Sequence, residues 1–365
     1  MKKNIKKALL VCVVICIVAM LLPSCAKKGE TLMSLDGSTL SVNTYSLLLS
    51  RMKGTLKYYG YSVEDDSFFR QIISSDGETL DSYFSDEIFE KAKIYLIADY
   101  LFDKHGLMLD GDREAEIEGL ISDMQKSLGS RSALNGELKK YGVNIDMLRE
   151  VYITEAKIDM LREYYCGEDC EKIPTAVREE YLEENYVAFS QIFIAAYYTV
   201  EDKDGNSTAV YFDDEKLSQL RAAAQGYAEE CRGDAEKFLS CAKLYDESGE
   251  NGGVMYLKVS DGYYESKSSS AAYLDKIAKG ADALEVGECA MIETDFGYHV
   301  IMRCENIPEA YEKEEYGDVF ADFYSSLAEK IFEDKCAEYE DLIVINEEAL
   351  GAAPTISGVE ANILY

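Results

Sequence analysis

The sequence predicts an α+β protein in which helical segments from both ends flank an inserted, compact mixed domain. Three observations carry this. Only four prolines occur, and two of them, Pro174 and Pro308, bracket a stretch whose texture differs from both flanks; proline ends helices and stiffens boundaries. The flanks, 31–172 and 311–341, carry apolar residues at helical spacing. The middle, 173–307, alternates strand-like apolar runs with helical patterns in the order β-α-α-β-α-β. A chain of 365 residues has room for two or three folding units.

The elements follow in order. Residues 1–24 read as a signal peptide: Lys2, Lys3, Lys6 and Lys7 precede a 15-residue apolar run, Ala8 to Leu22, too short for an ordinary membrane span. Leu22–Pro23–Ser24–Cys25 resembles a bacterial lipobox. That resemblance implies lipidation of Cys25, a tether over 25–30, and anchoring to the outer face of the cell membrane. Asp36–Gly37 between short apolar runs predicts a hairpin. Asn43 or Thr44 then caps a helix carrying Tyr45, Leu48, Met52, Leu56 and Tyr59. A second helix covers 84–105, with His105 at its C-terminal end before Gly106. A third carries Ile117, Leu120, Ile121, Met124 and Leu128. A fourth, capped by Asn144, runs through Met147, Val151, Ile158, Leu161 and Tyr165. Within 173–307, TAVREEYLEENY reads as helix and AFSQIFIAAYY as a strand. Helices near 213–231 and 234–244 follow a polar turn, VMYLKV is a short strand, AAYLDKIAKGADAL a helix, and YHVIMRCE the closing strand. The segment 308–350 returns to helix, with Phe320, Phe323, Leu327 and Ile331 on one stripe and LIVI as a strand, and is expected to pack on 31–172. The tail, 351–365, reads as flexible.

Composition excludes several classes. A net charge of −32 argues against nucleic-acid binding, which needs clustered lysine and arginine. Two histidines cannot furnish a zinc triad, and there is no glycine-rich phosphate loop and no G-x-S-x-G, so neither metal nor cofactor is expected. Two-lobed repeating βα units, the mark of a solute-binding lipoprotein, are missing from the pattern. Ten cysteines include two in the signal and Cys25; seven remain, an odd number that excludes a complete disulfide framework. Cys166 and Cys170 either close a small disulfide loop or stay as free thiols.

One of the two histidines, His299, lies in TDFGYHVIM, where an Asp295–Phe296–Gly297 loop leads into an alternating strand. Around it the residues reach a resemblance. Phe189 to Ile307 resembles a parvulin-type peptidyl-prolyl isomerase through FSQIFI, GDAEKFLSCAKLYDES, ENGG and ALEVGECAMIETDFGYHVIMR. The chain from about 31 to 350 resembles extracytoplasmic foldases of the PrsA and SurA kind, KHGLMLDGDREAEIEGLI and KKYGVNIDMLREVY reading like their N-terminal helices. The resemblance implies a helical chaperone domain built from N- and C-terminal segments with an inserted parvulin-like domain. It implies a membrane-anchored foldase whose partners are unfolded, exported polypeptides, and it specifies no oligomeric state.

The same resemblance assigns the site. The family's second histidine falls on His299, and its first falls on Gln191, which can still hydrogen-bond across the sheet. The family's Cys or Asp before the Gly-Gly turn falls near Ser248. Met255, Tyr273 and Phe296 are implied to form the proline pocket. The alternative is a non-catalytic, peptide-binding chaperone with a degenerate parvulin domain, favoured by glutamine at the first histidine position.

Overall fold

The structure is a computed structural model and describes residues 29–201, 203, 205–248, 263–268, 271–362 and 364, the side chains of 66, 201, 242–248 and 263 excepted. The signal, Cys25 and Met255 lie outside the described residues. The chain divides into two compact units, one formed by residues up to Gly167 together with Ala328–Tyr365, the other by Glu168–Leu327.

In the first, helical unit, β1 (Thr31–Leu35) and β2 (Ser38–Ser41) form the expected hairpin. Asp36 and Gly37 both take positive φ, 42° and 97°, as a two-residue turn requires. β1 also pairs antiparallel with Val344–Ile345, Met33 facing Ile345. The two ends of the chain are thus joined in one three-stranded sheet. The first long helix, Val42–Tyr58, is capped by Ser41, whose side chain accepts from the Thr44 N–H, rather than by Asn43 or Thr44. Asn43 instead donates to the Gly142 carbonyl at 2.7 Å. Leu80–Lys104, Gly111–Ser127 and Ile145–Cys166 follow, the last capped by Asn144 as expected. His105 is the C-cap of Leu80–Lys104. The core joins Leu47, Leu49, Leu96 and Ile97 to Phe332 and Ile356 from the C-terminal segment.

Residues 351–362, expected to belong to a flexible tail, are instead held against the first long helix. The ammonium of Lys53 donates to the carbonyls of Ser357 and Val359 at 3.0 and 2.8 Å, and the Asn362 N–H donates to the Ser50 carbonyl at 2.9 Å. A Cβ on Gly54 would lie 1.8 Å from the Asn362 carbonyl oxygen, so glycine is what lets the tail come this close.

The second, sheet unit holds a four-stranded antiparallel sheet: β3 (Tyr186–Ala195), β6 (Tyr263–Ser266), β7 (Cys289–Thr294) and β8 (Gly297–Arg303), in the order β6-β3-β8-β7. Residues on β3 and β8 are buried almost throughout, which fits central strands covered on both faces. The helix Ala272–Asp282 covers one face, packing Ile277, Ala278 and Ala281 on Val187, Phe189 and Ile301. The helix Asp214–Glu230 covers the other, where the Tyr298 hydroxyl donates to the Leu217 carbonyl at 3.2 Å. Two elements went unread in the sequence: the ribbon of β4 (Tyr197–Glu201) with β5 (Ser207–Tyr211), and β7 as a strand of its own. VMYLKV lies outside the described residues.

The sheet unit also continues past Pro308. Tyr311 stacks on Phe323 with centroids 4.3 Å apart, and Phe320 packs on Tyr186 and Tyr264 at 4.8 and 5.2 Å. This aromatic cluster holds 308–327 to the strands, and the helix of the C-terminal segment starts only at Phe323. All seven cysteines among the described residues are buried thiols outside any disulfide, Cys166 and Cys170 included. Cys170 approaches the Tyr324 carbonyl at 3.3 Å.

Candidate functional site

Strand register decides which side chains can meet. Phe193 faces His299 and Gln191 faces Ile301 across β3 and β8, while Ile292 faces His299 across β7 and β8. With a side-chain period of two, Gln191, Phe193, His299, Ile292 and Thr294 share one face, the face under Ala272–Asp282. Gln191 is therefore the diagonal neighbour of His299, within reach of its ring.

The contact is made. Nδ1 of His299 lies 3.1 Å from Oε1 of Gln191, and Nε2 lies 3.0 Å from Oγ1 of Thr294. The imidazole stacks on Phe193, centroids 4.7 Å apart and planes 26° from parallel. His299 is 5% exposed and Gln191 3%. Burial pulls the imidazole pKa down to about 4, because the charged form would lose its hydration. The ring is thus neutral at pH 7, with one nitrogen donating and the other accepting. Since Oε1 of Gln191 only accepts, Nδ1 carries the proton and donates to it. Nε2 then accepts from the Thr294 hydroxyl. That hydroxyl oxygen in turn accepts from the Phe296 N–H at 3.3 Å, tying the imidazole to the loop between β7 and β8.

That loop is two residues long, Asp295–Phe296, and closes on Gly297. Gly297 has φ 148°, and a Cβ there would sit 2.2 Å from the Ile194 carbonyl oxygen. The turn so fixed projects Phe296 outward, where it meets Tyr273 edge to face with centroids 5.1 Å apart. Both rings are 40% exposed, a large apolar area for solvent-facing side chains. The covering helix lies close on this face: a Cβ on Gly280 would reach to 2.0 Å from Ile292 Cδ1.

Of the residues singled out from the sequence, then, Gln191 and His299 are brought into contact, as are Tyr273 and Phe296. Ser248 ends the helix Ala235–Ser248, four residues beyond the end read from the sequence. Met255 is outside the described residues. Thr294 and Phe193 were missed. The signal for Phe193 was present, since it lies two residues beyond Gln191 on the same strand face. Thr294 became visible only once β7 was recognised as a strand. Among the described residues no group of three or more His, Cys, Asp or Glu is placed to hold a metal ion.

The geometry defines a class: an antiparallel sheet with a buried, neutral, doubly hydrogen-bonded imidazole tied through Thr294 to a loop that carries an exposed aromatic ring. Solved structures similar to this chain include PrsA from Bacillus subtilis (16% identity, covering 78% of this chain and 94% of that one, TM-score 0.22). A peptidylprolyl isomerase, PrsA, from Bacillus cereus aligns at 15% identity over 78% and 93% of the two chains, TM-score 0.28. A Campylobacter jejuni structure described among SurA-like chaperones aligns at 13% over 89% and 98%, TM-score 0.20. Scores this low carry no functional weight. No protein-family model and no curated protein matches the chain.

Proposed function

We propose that the sheet unit is a parvulin-type peptidyl-prolyl cis–trans isomerase and that the helical unit holds unfolded polypeptides, making the whole an extracytoplasmic foldase. The observation that carries this reading is the His299 imidazole fixed between Gln191 and Thr294, with Thr294 bonded in turn to the loop that carries Phe296 against Tyr273.

An X–Pro amide must cross a barrier of ~18–20 kcal/mol because rotation breaks C–N conjugation. Unaided, that takes tens to hundreds of seconds at about 25 °C, slow enough to limit folding. No bond is made or broken. A catalyst needs an apolar grip on the pyrrolidine ring, a dry environment for the amide, and fixed dipoles matched to the twisted geometry. Tyr273 and Phe296 supply apolar faces for the ring. The imidazole, held neutral, presents no charge whose hydration would draw water to the amide. Its two hydrogen bonds set ring orientation and tautomer, so its dipole is fixed before the substrate arrives. Ser248 and Met255 are assigned to the site in this proposal by the family resemblance alone.

The anchoring belongs to the same reading: a lipid on Cys25, after removal of 1–24, would hold the chain at the outer face of the membrane. No helix among the described residues is long and apolar enough to cross a membrane.

The test is two-dimensional exchange NMR on an X–Pro peptide with the full mature chain. Exchange cross-peaks above the uncatalysed rate, reduced at least about tenfold in His299→Ala, are expected. A rate equal to background with the chain folded would overturn the enzyme reading. It would favour the second one, a peptide-binding module without turnover, which the amide side chain at Gln191 favours.

A further inference from the structure

We infer that a groove on the helical unit is a docking site for polypeptide segments in which apolar side chains alternate with lysine or arginine. The groove encloses about 410 Å³ and is bounded by four helices: Val42–Tyr58, Leu80–Lys104, Ile145–Cys166 and Phe323–Ala337. Its floor is apolar, with Met52, Ile88, Ile94, Ile158 and Phe332. Its rim is acidic: six carboxylates line it against only two cations, Lys91 and Arg162. Apolar floor and charged rim alternate because each helix offers one stripe, as in Glu329, Phe332 and Glu333 at i, i+3 and i+4.

Arg162 is shared between Glu329 at 3.0 Å and Asp159 at 3.5 Å, Arg51 behind the rim pairs with Glu155 at 2.5 Å, and Lys93 pairs with Glu90 at 2.7 Å. Burial raises the pKa of both Asp159 and Glu333, and for Glu333 the neighbouring Glu329 raises it further. The groove is therefore an acidic rim around an apolar floor, in a chain of net charge −32. An incoming ammonium or guanidinium relieves that excess, and an apolar side chain covers the floor. A neutral apolar segment satisfies only the second term, and an acidic one is repelled. Charge complementarity is thus the reason for naming a cationic-apolar segment as the occupant. That the occupant is polypeptide at all rests on the foldase reading; its charge rests on the groove.

The probe is a fluorescein-labelled peptide of about twelve residues alternating leucine and lysine, compared with a leucine–glutamate counterpart by anisotropy on the full mature chain. Binding of the lysine peptide at least about thirtyfold tighter is expected, weakening severalfold between about 0.05 and 0.5 M salt. The double variant E87K/E333K, at exposed rim positions that leave the core untouched, should weaken it by about tenfold or more. Ile94→Ser, at a half-buried floor position, should weaken both the lysine peptide and an uncharged leucine–serine peptide. Equal affinity for the lysine and glutamate peptides, or unchanged binding by the double variant, would overturn the proposal. Tight lysine-peptide binding without any prolyl isomerisation would leave the groove standing and remove only the enzyme reading. Isomerisation with no peptide preference would do the reverse.

Discussion

The molecule's two histidines share a hydroxyl contact and an aromatic neighbour, and differ in burial and in what the second ring nitrogen meets. Each places Nε2 near a hydroxyl, His105 at 2.7 Å from Tyr165 and His299 at 3.0 Å from Thr294. His105 is half-buried at the end of Leu80–Lys104, its ring centroid 4.7 Å from that of Tyr164. His299, with Phe193 at the same 4.7 Å, is buried in the middle of a sheet and has a second hydrogen-bond partner on Nδ1. The difference teaches that a histidine is set for a task by two-sided hydrogen bonding in a dry place. A single hydroxyl contact at a helix end does not do this. The two regions make a natural control pair.

The largest effect expected is from His299→Ala. It removes a buried ring and leaves Gln191 Oε1 and Thr294 Oγ1 without their partner. A loss on the order of 3 kcal/mol in denaturant unfolding should result, together with loss of isomerase activity. His105→Ala should cost less than about 1 kcal/mol and leave isomerisation unaffected. Equal costs for the two would dissolve the comparison.

Acid should act almost as strongly through His299. Its pKa falls from 6.5 in the unfolded chain to about 4 in the folded one. Between those values the unfolded state holds the extra proton, so stability is full above pH 6.5 and falls as pH drops toward 4. The wild type should lose on the order of 3 kcal/mol across that window relative to His299→Gln, which cannot titrate. Parallel stability curves for the two proteins would refute the buried neutral ring.

Gln191→Leu should cost about 1–3 kcal/mol by orphaning Nδ1–H, whereas Gln191→His, which can again bond across the sheet, should retain stability and raise the isomerisation rate. The smallest stability change belongs to Phe296→Ala, under about 1 kcal/mol because the ring is exposed, yet affinity for X–Pro peptides should fall about tenfold. Affinity unchanged by Phe296→Ala would remove the aromatic pair from the site.

How much of this was legible in the sequence depended on whether the signal was local. Asp36–Gly37 announced its turn and Asn144 its cap, because both are decided by a few adjacent residues. The Ser41 cap was obscured by Asn43 and Thr44, two further capping residues within one turn. The placement of 351–362 was invisible, since it depends on Lys53, Ser50 and Gly54, some three hundred positions earlier. The Tyr197–Tyr211 ribbon was hidden in what read as a polar turn. Nothing before the fold showed that 308–327 adheres to the strands through Phe320 and Tyr311. For the site, strand alternation and the family resemblance together placed Gln191 beside His299, but Thr294 needed β7, whose CAMIET mixes polar and apolar residues too evenly to announce itself.

The most direct test is a long-range ¹H–¹⁵N spectrum of the histidine side chains in the full mature chain, followed from neutral to acid pH with and without an X–Pro peptide. The account predicts that His299 carries its proton on Nδ1, titrates near pH 4, and shifts on peptide addition while His105 does not. An imidazole at position 299 that titrates near 6.5, or that ignores the peptide, would contradict it.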